Sequence, residues 1–218
     1  MLFMIFLESH RLPLSGNERL TDQEWMTHAL SLAHKAQSEG EVPVGAVIVR
    51  DGKMVNVDAS MVINAPRAFV YQALADYDEF ADLTDAYVES RYIEPAADGA
   101  PRIYTEIEGC MWFFCRSVRR YARLDLEPGK KIVATAEPED SDVEYGREEW
   151  ALEDLGSVTR VNYQHDMQPK FWLPPGLGVW AIRRKLGSTS LKAATRIEEL
   201  ALEMKEATAG PIAAGAAE

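Results

Sequence analysis

The sequence predicts an α+β protein in which helices cover one face of an antiparallel sheet. Strand-like runs follow one another from about residue 101 to residue 168, and only short turn segments separate them. Near the end of the chain, apolar residues recur at three- and four-residue spacing, which indicates one long amphipathic helix. With 47% hydrophobic residues among 218, the chain has enough apolar surface to bury a core.

The N-terminal part predicts a helix followed by a hairpin. The helix begins at Thr21, because Thr21 and Glu24 have the spacing of a capping box, and it continues to about residue 39. Two segments rich in β-formers follow, at about 42–49 and 54–63. The dipeptide Asp51-Gly52 between them favours a tight turn.

The central part predicts two short helices and then successive strands. A helical face begins after Pro66, and a second short helix follows around residues 80–83. The run from 102 to 126 would extend about 80 Å as one strand, so we place a reversal at Gly109. We expect strands at about 101–110, 114–126, 130–137, 143–153 and 158–168, and a terminal helix that ends near residue 207.

Strand alternation identifies the side chains that point into the domain. In the last strand, Val161, Tyr163, His165 and Met167 share one face, and Trp150 lies opposite on the neighbouring strand. His165 beside Tyr163 is therefore the candidate for a polar ligand contact or for proton transfer. The competing interpretation is a hydrogen-bonded core histidine without a further role.

Large apolar side chains concentrate in two loops that we expect at the same end of the sheet. The loops are Met111-Trp112-Phe113-Phe114 and Phe171-Trp172-Leu173-Pro174-Pro175. They indicate either a pocket mouth, a surface that contacts lipid, or aromatic residues that plug the open end. Together with the last strand, the predicted cavity and rim residues are Ile103, Ile107, Trp112, Phe114, Trp150, Phe171, Trp172 and Trp180.

Several functions find no support in the sequence. The formal charge of −12 creates no field that attracts phosphate backbones, so we expect no nucleic-acid partner. No Gly-rich phosphate loop, Gly-x-Ser-x-Gly elbow or His-Glu-x-x-His motif occurs, and we expect no cofactor. Cys110 and Cys115 alone fall short of a closed zinc site, so no metal is expected either.

The cysteine pair leaves the cellular compartment open. Cys110 and Cys115 can face each other across the predicted hairpin. A bridge would imply an oxidising compartment, whereas free thiols would suit the cytoplasm. We expect a cytoplasmic protein, with a periplasmic or membrane-associated location as the alternative.

Four short segments, taken in order, resemble the START-like (SRPBCC) superfamily. They are Val62-Ile63-Asn64-Ala65-Pro66, Leu126-Glu127-Pro128-Gly129-Lys130-Lys131-Ile132, Trp150-Ala151-Leu152 and Thr159-Arg160-Val161-Asn162-Tyr163. The resemblance covers about residues 54–207 and extends to polyketide cyclases and coenzyme Q-binding proteins. It implies a helix-grip fold, in which a curved antiparallel sheet of about six or seven strands and the C-terminal helix enclose an apolar cavity.

The resemblance implies two functions. The first is binding or transfer of a hydrophobic small molecule, such as a quinone, a lipid or an aromatic polyketide-like compound. The alternative is an enzyme of the polyketide cyclase/dehydrase type, which would use inward polar residues such as His165 and Tyr163.

Residues 24–49 resemble the first helix and strand of bacterial tRNA adenosine deaminases, from Glu24-Trp25-Met26 to Pro43-Val44-Gly45-Ala46-Val47. Deamination needs a zinc ion and a glutamate, supplied as His-x-Glu and Pro-Cys-x-x-Cys. The chain has neither pattern, so a deaminase remnant is expected to be inactive. The resemblance implies a gene fusion: a poorly ordered leader (1–20), a deaminase-like fragment (21–52), a START-like domain (53–207) and a disordered tail (208–218).

Overall fold

The structure is a computed structural model that describes residues 6–10, 22–38, 44–51, 54–83, 87–111, 114–171 and 177–209. Its helices are α1 (Asp22–Ser38), α2 (Arg67–Ala75) and α3 (Leu177–Ala209), with a short 3-10 helix at Phe80–Leu83. Its strands are β1 (Phe6–His10), β2 (Val44–Asp51), β3 (Met54–Ile63), β4 (Tyr87–Ile93), β5 (Arg102–Met111), β6 (Phe114–Glu127), β7 (Lys131–Ala136), β8 (Val143–Asp154) and β9 (Thr159–Pro169).

The strands of the described segments form one sheet in the order β1-β2-β3-β9-β8-β7-β6-β5-β4. The seven strands from β3 to β4 in this order are all antiparallel to their neighbours. β3 pairs with β9, while β4 to β9 follow one another as hairpins. This sheet and the C-terminal helix confirm the predicted helix-grip fold.

The core lies between one face of the sheet and the helices α2 and α3. Strand residues of this inner face are fully buried, among them Ile63, Ile103, Ile132 and Val161. On α3 the buried residues Ala194, Ile197 and Ala201 have the three- and four-residue spacing of one helix face, and they belong to the same cluster. The predicted stripe of the terminal helix therefore packs on the sheet.

The predicted N-terminal helix and hairpin are present as α1, β2 and β3. α1 packs on β2 and β3 and buries Ala29 and Ala33. One further strand, β1, falls in the segment for which the sequence predicts poor order, and it pairs in parallel with β2. β1, α1 and β2 thus form a β-α-β unit at one edge of the sheet.

Two other details differ from the sequence prediction. The sequence does not indicate β4 as a separate strand, because β4 is an edge strand whose sequence carries exposed charges and an exposed Val88. The reversal between β5 and β6 lies between Met111 and Phe114, not at Gly109, which pairs with Arg116 inside the ladder. The same register sets Cys110 opposite Cys115, but their side chains lie outside the described residues.

Candidate ligand-binding site

Six polar side chains act on one another inside the domain. They are termed the polar cluster and comprise Tyr77, Tyr87, Arg120, Glu148, Tyr163 and His165. At its centre, the Nη2 atom of Arg120 lies 2.5 Å from the Oε2 atom of Glu148. The charges of these two residues act on the pKa of each of the other four, so the six groups form one electrostatic unit.

The ion pair forms across an intervening strand. Arg120 lies on β6 and Glu148 on β8, with β7 between them. Two strand spacings amount to about 10 Å, which only long side chains can bridge. β7 carries Ala134 and Ala136 on its buried face, and Ala134 is the register partner of Glu148. Their small methyl groups leave room for the two side chains to meet above β7.

Neighbouring side chains hold both members of the ion pair in place. The Nε atom of Arg120 donates to the Oγ1 atom of Thr105 at 3.2 Å. The indole nitrogen of Trp150 donates to the Oε1 atom of Glu148, also at 3.2 Å. Arg120 is 4% exposed and Glu148 0% exposed, so this pair is removed from bulk water.

Both members of the pair stay charged. Burial alone would raise the pKa of Glu148, but Arg120, with a smaller contribution from His165, holds this pKa below its usual value. Burial alone would lower the pKa of Arg120, but Glu148 outweighs burial and the pKa is raised. The net charge of the pair is therefore zero.

The proton positions of Tyr163 and His165 follow from their environment. Burial raises the pKa of Tyr163 well above its usual value, so its hydroxyl is protonated. This hydroxyl lies 3.0 Å from Nδ1 of His165, and we assign it as the donor because the described residues offer its proton no other acceptor. Burial lowers the pKa of His165 to about 4, so the ring is neutral near pH 7. Because Nδ1 accepts a hydrogen bond, the ring proton resides on Nε2.

Four buried polar atoms of this region have no hydrogen-bond partner among the residues that the structure describes. They are the hydroxyl oxygens of Tyr77 and Ser90, Nη1 of Arg120 and Nε2 of His165. Buried polar atoms are nearly always paired, and an unpaired one costs about 1–3 kcal/mol. Since Nη1 and the protonated Nε2 can only donate, the cluster offers hydrogen bonds to an acceptor.

Three members of the cluster retain accessible surface although protein surrounds them. Burial among protein atoms is the largest influence on the pKa of Tyr87, Tyr163 and His165. Each of the three side chains is nevertheless only partly buried by accessible area. A side chain that lines an enclosed space has both properties: protein atoms surround it, and part of its surface is still accessible.

Aromatic rings form one wall of this space. Phe80 stacks on Tyr77 with ring centroids 4.7 Å apart, and it contacts Tyr87 and Trp150 edge-on at 5.2 and 6.1 Å. Trp150 continues the wall to Tyr163, with centroids 4.2 Å apart. The wall runs from the 3-10 helix to β9.

The predicted site residues fall into three groups. Trp150, Tyr163 and His165 lie together at the polar cluster. Ile103 is fully buried in the core, while Ile107, Met167 and Phe171 are partly buried. The side chains of the remaining four lie outside the described residues, so the rim stays a prediction; these are Trp112, Phe114, Trp172 and Trp180.

Sequence reasoning missed the charged pair. Alternation along β8 places Glu148 on the same face as Gly146, Trp150 and Leu152, all of which are buried. A charged residue at an inward position needs a partner of opposite charge, and this pattern in β8 is the indication from which the ion pair could have been predicted. Among the described residues, no group of three or more potential metal ligands lies close together.

Comparisons with known proteins match the fold of this chain but not its sequence. No family model and no curated protein matches it. The ZhuI aromatase/cyclase from a Streptomyces species has a TM-score of 0.56 and 19% identity, over 73% of this chain and 99% of that one. The STAR-related lipid transfer protein from Xanthomonas axonopodis has a TM-score of 0.54 and 13% identity, over 73% and 93%. The chain has the START-like fold.

Human STARD10 extends this likeness toward the N-terminus. It has a TM-score of 0.53 and 14% identity, over 92% of this chain and 87% of that one. The part from Met54 onward is too short to supply 92% of the chain, so the alignment includes part of the β1-α1-β2 unit. Nothing in these comparisons supports a deaminase origin for residues 21–52 or a gene fusion.

His165 makes the folded protein less stable in mild acid. The folded pKa of His165 is about 4, whereas an unfolded histidine has a pKa of roughly 6.5. As the pH falls through this window the unfolded chain binds the proton first, so the free energy of unfolding decreases. We expect His165→Gln, whose amide oxygen can still accept from Tyr163, to lose less stability than the wild type in urea denaturation across this window. If the free energy of unfolding changes with pH equally in the wild type and in the variant, His165 is not held neutral in the folded protein.

Proposed function

We propose that this START-like protein binds and carries a hydrophobic small molecule between the inner face of the sheet and α3. The observation that carries the proposal is the accessible surface of Tyr87, Tyr163 and His165 inside the domain. Ligand sites are typically apolar cavities with a few convergent polar groups. The aromatic wall and the polar cluster have this composition.

The hydrogen bonding of His165 favours a carrier over an enzyme. A general base must present a lone pair to the proton that it removes. The lone pair of Nδ1 already accepts the Tyr163 hydroxyl, and Nε2 carries a proton. His165 therefore offers a hydrogen-bond donor at the buried Nε2 and no free lone pair.

A cyclase/dehydrase-type enzyme is the second candidate. The Tyr163 to His165 hydrogen bond supports it, because the Tyr163 proton can move to Nδ1 when Nε2 gives its proton to the substrate. The phenolate that remains on Tyr163 would take up a proton that the substrate releases. His165→Ala separates the two candidates. If the wild type converts an aromatic polyketide and the variant binds it without turnover, the enzyme proposal stands and the carrier proposal fails.

The ligand classes that suit this space are quinones, lipids and aromatic polyketide-like molecules. Two proteins that share the fold support these classes, because one is named an aromatase/cyclase and the other a lipid transfer protein. Peripheral membrane contact through residues 111–114 and 171–175 would give such a ligand a route of entry, and a cytoplasmic location agrees with this role. None of the described helices has the length and apolar composition that a bilayer crossing requires.

Binding of N-phenyl-1-naphthylamine, an uncharged fluorescent probe, tests the proposal. Val118 lies on the inner face opposite Ile107, is partly buried, and precedes Arg120 by two positions. We expect Val118→Phe to fill part of the space and to weaken probe binding by at least about tenfold. The control is Thr135→Phe, at an exposed position of β7. The proposal fails if the wild type shows no saturable binding, or if both variants bind equally.

A further inference from the structure

We propose that the polar cluster selects ligands whose polar end is an uncharged oxygen acceptor, such as a ketone, ester or alcohol, and that it discriminates against the matching carboxylate. The inference rests on the proposed function, because it concerns the occupant of the same space. It assigns the chemical class of the ligand's polar end and the two side chains that bind it.

The donors come from Arg120 and His165. Nη1 of Arg120 and Nε2 of His165 are buried and have no partner in the described part of the chain. His165 is the register partner of Glu148, and Glu148 pairs with Arg120, so both donors belong to one site. An uncharged oxygen has two lone pairs, so a ligand oxygen that enters between the two groups can accept from both and leave neither donor unpaired.

Charge sets the preference for an uncharged group. Glu148 already neutralises Arg120 at 2.5 Å, and the ring of His165 is neutral. An entering carboxylate would be a second anion beside Glu148, at a place where neither member of the pair meets bulk water. Burial of an unmatched charge costs far more than burial of a hydrogen-bonded neutral group.

A ligand series with one chain length tests this preference. 1-Decanol, methyl decanoate and decanoate are compared as competitors of N-phenyl-1-naphthylamine at about pH 8. We expect the alcohol and the ester to displace the probe at concentrations at least about tenfold below that of the carboxylate. Tight carboxylate binding by the wild type would overturn the inference.

Glu148→Gln is the decisive variant. It removes the anion that neutralises Arg120 and keeps one amide oxygen that can accept from Arg120, while the second carboxylate oxygen, to which Trp150 donates, is lost. We expect the affinity for decanoate, relative to the ester, to rise by at least about tenfold. Glu149→Gln makes the same charge change at the next residue, which pairs with Arg147 on the other face, and should keep the wild-type ratio. Equal ratios in the two variants would overturn the inference.

The wild type offers a second test that does not depend on a variant that folds. Lowering the pH from about 8 toward about 5 raises the fraction of decanoate that is present as the uncharged acid. Decanoate should then compete more strongly, while methyl decanoate should not change. An affinity for decanoate that stays constant or falls would contradict the inference. If the probe itself does not bind, the proposed function fails; if it binds but these ratios do not appear, only the present inference fails.

Discussion

Glu148→Ala is expected to lower the free energy of unfolding by about 3–5 kcal/mol, because it leaves the Arg120 charge buried without a partner. Arg120 is 4% exposed, and its other hydrogen bond, to Thr105, cannot replace a charge. Urea denaturation of both proteins measures the difference. Glu149→Ala, one residue away, removes only an ion pair of partly exposed side chains with Arg147 and should cost less than about 1 kcal/mol.

The double variant Arg120→Met/Glu148→Leu separates the two costs of the buried pair. Removal of both charges also removes their desolvation, so most of the lost stability should return. A double-mutant cycle should therefore show strong coupling between the two positions. Additive effects, or a loss for Glu148→Ala no larger than that for Glu149→Ala, would mean that the pair is solvated.

Phe80→Ala is expected to lower the free energy of unfolding by about 3–5 kcal/mol. Phe80 is 1% exposed and contacts three aromatic rings, so its removal leaves a cavity and deprives Tyr77, Tyr87 and Trp150 of a neighbour. Thermal or urea denaturation provides the measurement. The control Val88→Ala changes a side chain that is 57% exposed on edge strand β4, and it should alter stability by less than about 0.5 kcal/mol.

If Phe80→Ala lowers the free energy of unfolding by less than about 1 kcal/mol, Phe80 is not part of a tightly packed aromatic wall. It would mean that the rings at this position are loosely packed, since a buried phenylalanine is among the most costly side chains to truncate. The 3-10 helix that carries Phe80 would then not be a fixed boundary of the enclosed space.

The sequence was sufficient to predict the fold because the fold depends on repeated local patterns. Alternation in β6, β7, β8 and β9 separates an apolar face from a polar one over many residues, and the stripe on α3 has a matching helical period. β1 is only five residues long and shows no such repeat. β4 lies at the sheet edge, where burial constrains few of its residues.

The site was predicted only in part, because its main interaction is not local. Alternation in β9 identified Tyr163 and His165, which lie two residues apart on one face. Arg120 and Glu148 belong to strands that are not neighbours, and a single sequence does not reveal that they meet. Tyr77 precedes the 3-10 helix outside any periodic element, and Tyr87 stands at a register shift of β4, so periodicity could not place either one.

The most direct test of the enclosed space is a measurement of where a bound ligand lies. Nuclear Overhauser effects between 1-decanol and the protein, recorded by NMR with assigned side chains, report contacts at short range. We expect contacts from the ligand to the ring protons of His165 and Trp150 and to the methyl groups of Val118. Contacts limited to the exposed side chains of Val88, Tyr145 and Leu155, with none to these inner residues, would contradict an internal binding site.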